Sequence, residues 1–288
     1  MIIVPYILAA LAGLLAGWIT NVLAQRFPIA ERPLFGPLHC VRSGEKLSLF
    51  DTLPVLGYAL QRGRCRHCGK PLPWRFPLVE ILLALAFMLA WPQYENQPLY
   101  VYLVNLFYIF LLATIGLIDW RFRLIFPIMI WAGCLFGLIV AVLGGAHPDN
   151  MLPDGLGSVL LGAAFGGGIF YFIYLVALGI YRRRALGFGD VLLAILIGVV
   201  LGFPRCASAL FLGAVLGGVV AIGFFLFGGK KWRDFVPYGT TLCLGVILII
   251  IWGNAVWQWG PFYLITRGLE IFFGYVFDWL FTLLGQPH

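Results

Sequence analysis

The chain has 288 residues, of which 62% are hydrophobic and only 11% are charged, and it contains 36 glycines. This composition excludes an ordinary soluble globular domain and indicates a polytopic membrane protein. The formal net charge of +7 is explained by basic loops between spans and does not indicate nucleic-acid binding, and no P-loop glycine motif supports nucleotide-driven transport.

Eight apolar segments are predicted to be transmembrane helices, which gives an all-α fold. About 20 apolar residues are needed to cross a hydrocarbon core that is about 30 Å thick. In chain order the segments are residues 3–23, 78–91, 101–118, 127–143, 156–180, 191–201, 207–227 and 238–252. The first lacks a basic n-region and a cleavage site, so we expect it to be retained as a helix.

The predicted domain organisation follows from one long hydrophilic segment. Residues 1–23 form the first helix, residues 24–76 a small domain with little core of its own, and residues 77–252 a transmembrane core. Residues 253–288 are an apolar C-terminal segment that lies in the interface or makes a further span. If the spans alternate, all 19 lysines and arginines except Arg205 and Arg267 fall on one side, which is therefore predicted to be cytoplasmic.

The hydrophilic domain carries a cysteine knuckle, "RCRHCGKPL", with Cys65 and Cys68 around a turn. Because the reducing cytoplasm disfavours disulfides, this spacing indicates a zinc site or reduced thiols. Cys40 is the predicted third ligand, and His39 or His67 is the fourth. The alternative is a knuckle held by packing alone.

Two carboxylates lie at the predicted cytoplasmic ends of spans. Asp119 ends the run "LLATIGLID", and Asp190 follows "GFG" and starts the run "VLLAILIGVV". A charge in or beside a span is costly unless it has a function or a partner, so both are candidate functional residues. Gly187 and Gly189 remove side chains beside Asp190 and are expected to allow tight turning and the approach of a peptide backbone.

Two carboxylates that share one site cannot easily both ionise, so one acts as base on a water and the other holds a proton. A helix N-terminus favours the charged form at Asp190, and a helix C-terminus favours the protonated form at Asp119. This chemistry is that of an aspartic protease, with Asp190 as base and Asp119 as acid. The alternative is structural: Asp190 is an N-cap and Asp119 pairs with Arg121 or Arg123.

Several motifs together resemble the type IV prepilin peptidases, which are membrane aspartic proteases of the GxGD kind. "GLLAGWITNVLAQRFP" resembles the first helix of the family and contains Asn21, and "TLPVLGYALQRGRCRHCGKPLPWRFPLVE" resembles its cytoplasmic loop and ends at Glu80. "LIDWRFRLI" and "GFGD" match the segments of its two aspartates. "VPYGTTLCLG" matches its late motif, here Pro237, Tyr238 and Gly239.

The resemblance implies an enzyme of the bacterial inner membrane that cleaves the basic leader of type IV prepilins or pseudopilins at the cytoplasmic face. It also implies methylation of the new N-terminus with S-adenosylmethionine, with Asn21 and Glu80 supporting methyl transfer or the loop. The partners would be those peptides and membrane lipid, with no nucleic acid. The chain departs from the family at Ser43, which breaks the first C-x-x-C, and at Leu192, where the family has a lysine.

Two other interpretations remain open. An intramembrane GxGD protease of other substrates would use the same acid chemistry, but it would usually carry a late Pro-Ala-Leu motif, whereas this chain has "VPYG". A transporter or noncatalytic homologue would use the aspartates to bind cations or protons, and inverted repeats would support it. The sequence shows no such internal repeat.

Overall fold

The computed structural model describes residues 3–27, 53–66, 68–143, 155–181, 187–227, 238–257 and 268. Within these ranges the chain forms nine α-helices and no strand. They are α1 (Ile3–Arg26), α2 (Leu56–Leu60), α3 (Arg75–Tyr94), α4 (Leu99–Phe122), α5 (Pro127–Leu143), α6 (Gly155–Tyr181), α7 (Phe188–Leu201), α8 (Arg205–Phe227) and α9 (Tyr238–Trp257).

The helices confirm the predicted all-α polytopic membrane fold. Five of them, α1, α3, α4, α6 and α8, are long and apolar enough to cross a membrane, and α5, α7 and α9 are shorter apolar helices. The eight predicted spans correspond to these eight helices, and α2 is an additional short helix in the hydrophilic domain. Of the predicted C-terminal segment, residues 253–257 belong to the end of α9, and the rest lies outside the described residues apart from Gly268.

The chain divides into two compact units, Met1–Leu124 and Ile125–His288. In the first unit α1 and α3 are antiparallel and very close. A Cβ on Gly13 would lie 2.5 Å from Cα of Ala84, and a Cβ on Gly17 would clash with Cα of Glu80. Glycines four residues apart therefore form the contact face of α1, as in other close pairs of membrane helices.

Helix α4 is the most buried of the five long spans. Its Thr114 hydroxyl lies 3.0 Å from the Thr20 hydroxyl of α1 and donates to the Phe110 carbonyl oxygen. The Tyr102 hydroxyl of α4 donates to the Phe87 carbonyl oxygen of α3 at 2.9 Å. These hydrogen bonds satisfy polar groups that would be costly if left unpaired in an apolar interior.

In the second unit α7 is the central helix, and every residue from Val191 to Leu201 except Ile195 is buried. Its closest neighbour is α6, which runs antiparallel to it. A Cβ on Gly162 would lie 2.5 Å from the Gly198 carbonyl oxygen, and a Cβ on Gly166 would lie 2.5 Å from the Ala194 carbonyl oxygen. Small residues again set the distance between two apolar helices.

Candidate functional site

Asp119 lies in the last turn of α4 and is buried, with 6% of its surface exposed. Its own carbonyl oxygen accepts the N–H of Arg123, the residue that ends the helix in a left-handed conformation with φ of 55°. The last turn of a helix presents partial negative charge, and this favours the protonated form of a carboxylic acid. The position predicted for Asp119, at a helix C-terminus, is the one the structure shows.

In the same unit, the end of α4 that carries Asp119 lies on the face where α1 ends and α3 begins. Asn21, near the end of α1, donates to the Phe76 carbonyl oxygen at the start of α3, and the antiparallel α3–α4 pair brings Arg75 within electrostatic range of Arg121. The candidate acid and the hydrophilic hairpin before α3 thus share one face of the first unit.

Asp190 lies in the first turn of α7, three residues after Gly187, which is the N-cap. Its Oδ2 accepts the Gly187 N–H at 3.3 Å, and its own N–H donates to the Gly187 carbonyl oxygen at 3.1 Å. A carboxylate at this position gains from the partial positive charge of the helix N-terminus. Asp190 is therefore not an N-cap residue, but it does stabilise the helix start while staying half-exposed.

The two glycines beside Asp190 have different surroundings. A Cβ on Gly189 would lie 2.9 Å from Cβ of Ile125, so this glycine is needed for packing against Ile125, two residues before the start of α5. Among the described residues, a Cβ on Gly187 would meet only Oδ2 of Asp190 at 3.4 Å and the Gly189 nitrogen at 3.9 Å. With φ of −74°, Gly187 does not need the conformational freedom of glycine for the turn. Within the part of the chain that the structure describes, it leaves space beside the carboxylate.

Tyr238, the first residue of α9, lies close enough to Asp190 to interact with it electrostatically. Its ring stacks on Phe170 of α6, with centroids 6.1 Å apart, and its carbonyl oxygen accepts the Thr241 hydroxyl. On α8, a Cβ on Gly217 would lie 3.1 Å from the Tyr238 ring. Three helices thus hold this tyrosine near the candidate base.

Gly239, the next residue, is buried in α9, whereas Pro237 lies outside the described residues. Sequence reasoning singled out the motif at Tyr238 but did not identify Phe170 or Gly217, which hold it. Their only sequence signal is an aromatic and a glycine within apolar helices, and such residues are common there.

The structure brings together Asn21 and Glu80, the residues predicted to support methyl transfer or the loop. Glu80 is 6% exposed, its Oε1 accepts the Asn21 side-chain N–H at 3.2 Å, and its Oε2 accepts the Val55 backbone N–H at 2.7 Å. Val55 directly precedes α2 and has a positive φ of 55°. Because both carboxylate oxygens of Glu80 accept hydrogen bonds from this chain, these contacts favour the prediction that Asn21 and Glu80 hold the loop in place.

The cysteine knuckle forms a compact hairpin. The Cys65 N–H donates to the Lys70 carbonyl oxygen at 2.9 Å, the Gly69 N–H donates to the Cys65 carbonyl oxygen at 2.8 Å, and Gly69 has φ of 66°. Cys65 is buried and Cys68 is half-buried, and two thiols on one such turn suit two positions of a tetrahedral zinc site.

Among the described residues no group of three potential metal ligands occurs. The other predicted ligands, Cys40 with His39 or His67, lie outside the described residues. The described residues therefore include two of the four predicted ligands, Cys65 and Cys68, and zinc stays a prediction.

The helices define a multi-pass membrane protein, and each of its two compact units carries one of the two aspartates at a helix end. Residues 11–94 match the family model of the bacterial Peptidase A24 N-terminal domain, and residues 106–222 match that of the type IV leader peptidase family. The chain belongs to the type IV prepilin peptidase family and is a peptidase. The predicted family resemblance is confirmed.

Curated relatives agree with this assignment. The chain is 27% identical to a prepilin leader peptidase/N-methyltransferase of Pseudomonas putida, over 87% of this chain and 91% of the relative. It is 28% identical to a type 4 prepilin-like proteins leader peptide-processing enzyme of Escherichia coli O78:H11, over 85% and 93%. It is 33% identical to a prepilin leader peptidase/N-methyltransferase of Myxococcus xanthus, over 76% and 62%. No solved structure is significantly similar to the chain.

Proposed function

We propose that this peptidase cleaves the basic leader from type IV prepilins or pseudopilins at the cytoplasmic face of the bacterial inner membrane, with Asp119 and Asp190 as the catalytic pair. The observation that carries the proposal is the placement of each aspartate at one end of a buried helix, Asp119 at the end of α4 and Asp190 at the start of α7. The relatives named for prepilin leader processing supply the substrate class.

In this mechanism Asp190 is the base and Asp119 the acid. The N-terminus of α7 and the Gly187 N–H favour an ionised Asp190, which removes a proton from the attacking water. Asp119, buried at a helix C-terminus, is favoured in the protonated form and donates its proton as the peptide bond breaks. The space beside Gly187 is where an extended substrate backbone would approach the base.

The experiment for this function uses membranes that contain the full-length protein and a prepilin encoded by the same organism. The expected product, identified by mass spectrometry, is a mature chain cut once at the junction between leader and apolar helix. A membrane protein without a pilin-like leader is the control substrate and should stay intact. Failure to cut the prepilin, or equal cutting of the control, would contradict the proposed substrate class.

Methyl transfer with S-adenosylmethionine stays a prediction from the resemblance. Asn21 and Glu80 hold the hairpin before α3, and no step of the proposed hydrolysis uses them. Incubating the cleaved prepilin and the protein with labelled S-adenosylmethionine tests it, and incorporation of label at the new N-terminus is the expected result. Absence of label on a correctly cleaved product would contradict methylation without affecting the peptidase assignment.

The zinc prediction has a separate test. Metal analysis of the purified wild-type protein should find about one zinc per chain, because structural zinc sites bind tightly. Cys65→Ser should lose the metal, since a thiolate ligand is removed, and Cys134→Ser, in α5, is the matched control that should keep it. A folded wild-type protein without zinc would contradict the site.

A further inference from the structure

The segment that contains α2 and runs to the start of α3 combines two surface features that the proposed hydrolysis does not use. It comprises residues 53–66 and 68–75 and is called the surface hairpin below. Leu56 and Leu60, one turn apart on α2, are 61% and 62% exposed, and Trp74 is 69% exposed. Two exposed leucines one turn apart, with an exposed tryptophan in the same short segment, are a feature of surfaces that contact a partner or a membrane.

The surface hairpin is also strongly basic. From residue 53 to residue 79 the sequence has no aspartate or glutamate, and it has five cationic residues, all exposed: Arg62, Arg64, Arg66, Lys70 and Arg75. The exposed cations and the exposed leucines belong to one compact hairpin, closed by the Cys65–Lys70 and Leu72–Gly63 backbone hydrogen bonds. Its partner must therefore present both negative charge and apolar surface.

The position of the surface hairpin along the membrane-spanning helix α3 indicates what that partner is. Val55, at the start of α2, is hydrogen-bonded to Glu80, which lies five residues after the start of α3. Five residues of α-helix span about 7.5 Å, so α2 is fixed beside the first turn and a half of a membrane-spanning helix. The exposed Trp74 and Arg75 mark the beginning of that helix, where tryptophan and basic residues meet the headgroup layer.

We propose that the surface hairpin binds the membrane surface, with Leu56, Leu60 and Trp74 in the interface and its arginines and lysine on anionic lipid headgroups. Apolar residues that insert shallowly beside cationic residues that reach phosphates are the features of interfacial lipid binding. The order of the surface hairpin then depends on two contacts: the lipid headgroups bind its cations, and Glu80 accepts the hydrogen bond from Val55.

The test measures hydrogen–deuterium exchange of the full-length protein in nanodiscs of phosphatidylcholine alone or mixed with phosphatidylglycerol. Backbone amides of residues 53–66 should exchange severalfold more slowly in the anionic discs, and high salt should remove the difference because it screens headgroup charge. Equal exchange rates in the two lipids would overturn the proposal. The exposed cations would then be assigned to binding an acidic protein surface.

Two variants make the test specific. The triple variant Arg62→Gln, Arg64→Gln and Lys70→Gln should lose the phosphatidylglycerol effect. The control triple variant Arg182→Gln, Arg183→Gln and Arg184→Gln removes the same charge from the sequence after α6 and should keep the effect. Leu56→Ser with Leu60→Ser should speed exchange in both lipids. Retention of the lipid effect in the first triple variant, with an unchanged chromatographic profile, would overturn the role of the cations.

Discussion

At the scale of single residues, the two candidate catalytic carboxylates differ in setting as the sequence predicted. Asp119 is buried in the last turn of α4, and Asp190 is half-exposed in the first turn of α7. The sequence allowed this prediction because each aspartate borders a long apolar run, and the direction of the run shows which helix end carries the charge. The hydrogen bond from Gly187 to Asp190 could not be predicted, because it depends on where the helix starts.

Leu192 stands where the family has a lysine, and the effect of this difference on Asp190 depends on the geometry of α7. Residues two apart on a helix do not face each other, so Leu192 and Asp190 lie on different sides of α7. Leu192 is buried, with 8% of its surface exposed, and it is part of the apolar packing of the central helix. A cation at this position would not be directed at Asp190 by helix spacing alone, and its absence is therefore compatible with a working base.

The first prediction concerns Glu80. Glu80→Gln places an amide N–H₂ toward either the Val55 N–H or the Asn21 side chain, so one buried hydrogen bond is lost and two donors face each other. We expect the free energy of unfolding to fall by about 1–3 kcal/mol. Thermal unfolding in detergent measures this change, and tryptic cleavage at Arg62 and Arg64 should become faster.

The matched control is Glu95→Gln, because Glu95 is exposed just after α3. It should leave both the unfolding temperature and the rate of tryptic cleavage unchanged. If Glu80→Gln behaves like this control, Glu80 does not anchor the surface hairpin.

At the scale of elements, glycines determine which helices come together. On α1 the spacing of Gly13 and Gly17 is the small-residue pattern of close helix pairs, so a close contact of α1 with some other helix was open to prediction from sequence. The partner of each glycine was not, because apolar helices offer many alternatives. The Val55–Glu80 hydrogen bond was also unpredictable, since it joins residues 25 apart and depends on the positive φ of Val55.

The second prediction uses two adjacent glycines of α8. Gly217→Ala adds a Cβ 3.0 Å from the Thr241 hydroxyl and 3.1 Å from the Tyr238 ring, which must move by a few tenths of an ångström. Because small misplacements near a catalytic group are costly, we expect prepilin cleavage to slow by about tenfold. The initial rate of cleavage at saturating prepilin is the measurement.

Gly218→Ala is the control, because a Cβ at Gly218 meets no atom within 4 Å. This change should leave the cleavage rate as in the wild type and add a little helix stability. Equal rates for the two variants would show that the placement of Tyr238 does not matter for catalysis.

At the scale of the whole molecule, composition and hydropathy were sufficient to predict an all-α multi-pass membrane protein, and the helices confirm it. The helix ends differ by a few residues from the predicted spans. Apolar runs correspond to the hydrocarbon region, whereas helices continue into the membrane–water interface. The division into units at Leu124 and Ile125 could not be predicted, since it depends on which helices pack together and no change of composition marks it.

The third prediction concerns orientation, which the distribution of basic residues indicates. Alkaline phosphatase fused after Leu143, the end of α5, should be active, because that helix end is predicted to lie outside the cytoplasm. The same enzyme fused after Tyr181, the end of α6, should be inactive, since its disulfides do not form in the cytoplasm. Green fluorescent protein fusions at both positions should give the opposite pattern, and a reversed pattern would contradict the cytoplasmic placement of Asp119 and Asp190.

The proposed hydrolysis depends on both Asp119 and Asp190, and the rate of leader cleavage by Asp119→Asn and by Asp190→Asn tests this dependence. Each change keeps the shape of the side chain but removes its acid–base function, so each should slow cleavage by about 100-fold or more. Asp149→Asn, in the polar sequence between α5 and α6, should cleave at the wild-type rate. If either Asp119→Asn or Asp190→Asn, in amounts equal to the wild type, cleaves the leader undiminished, the proposed pair is wrong.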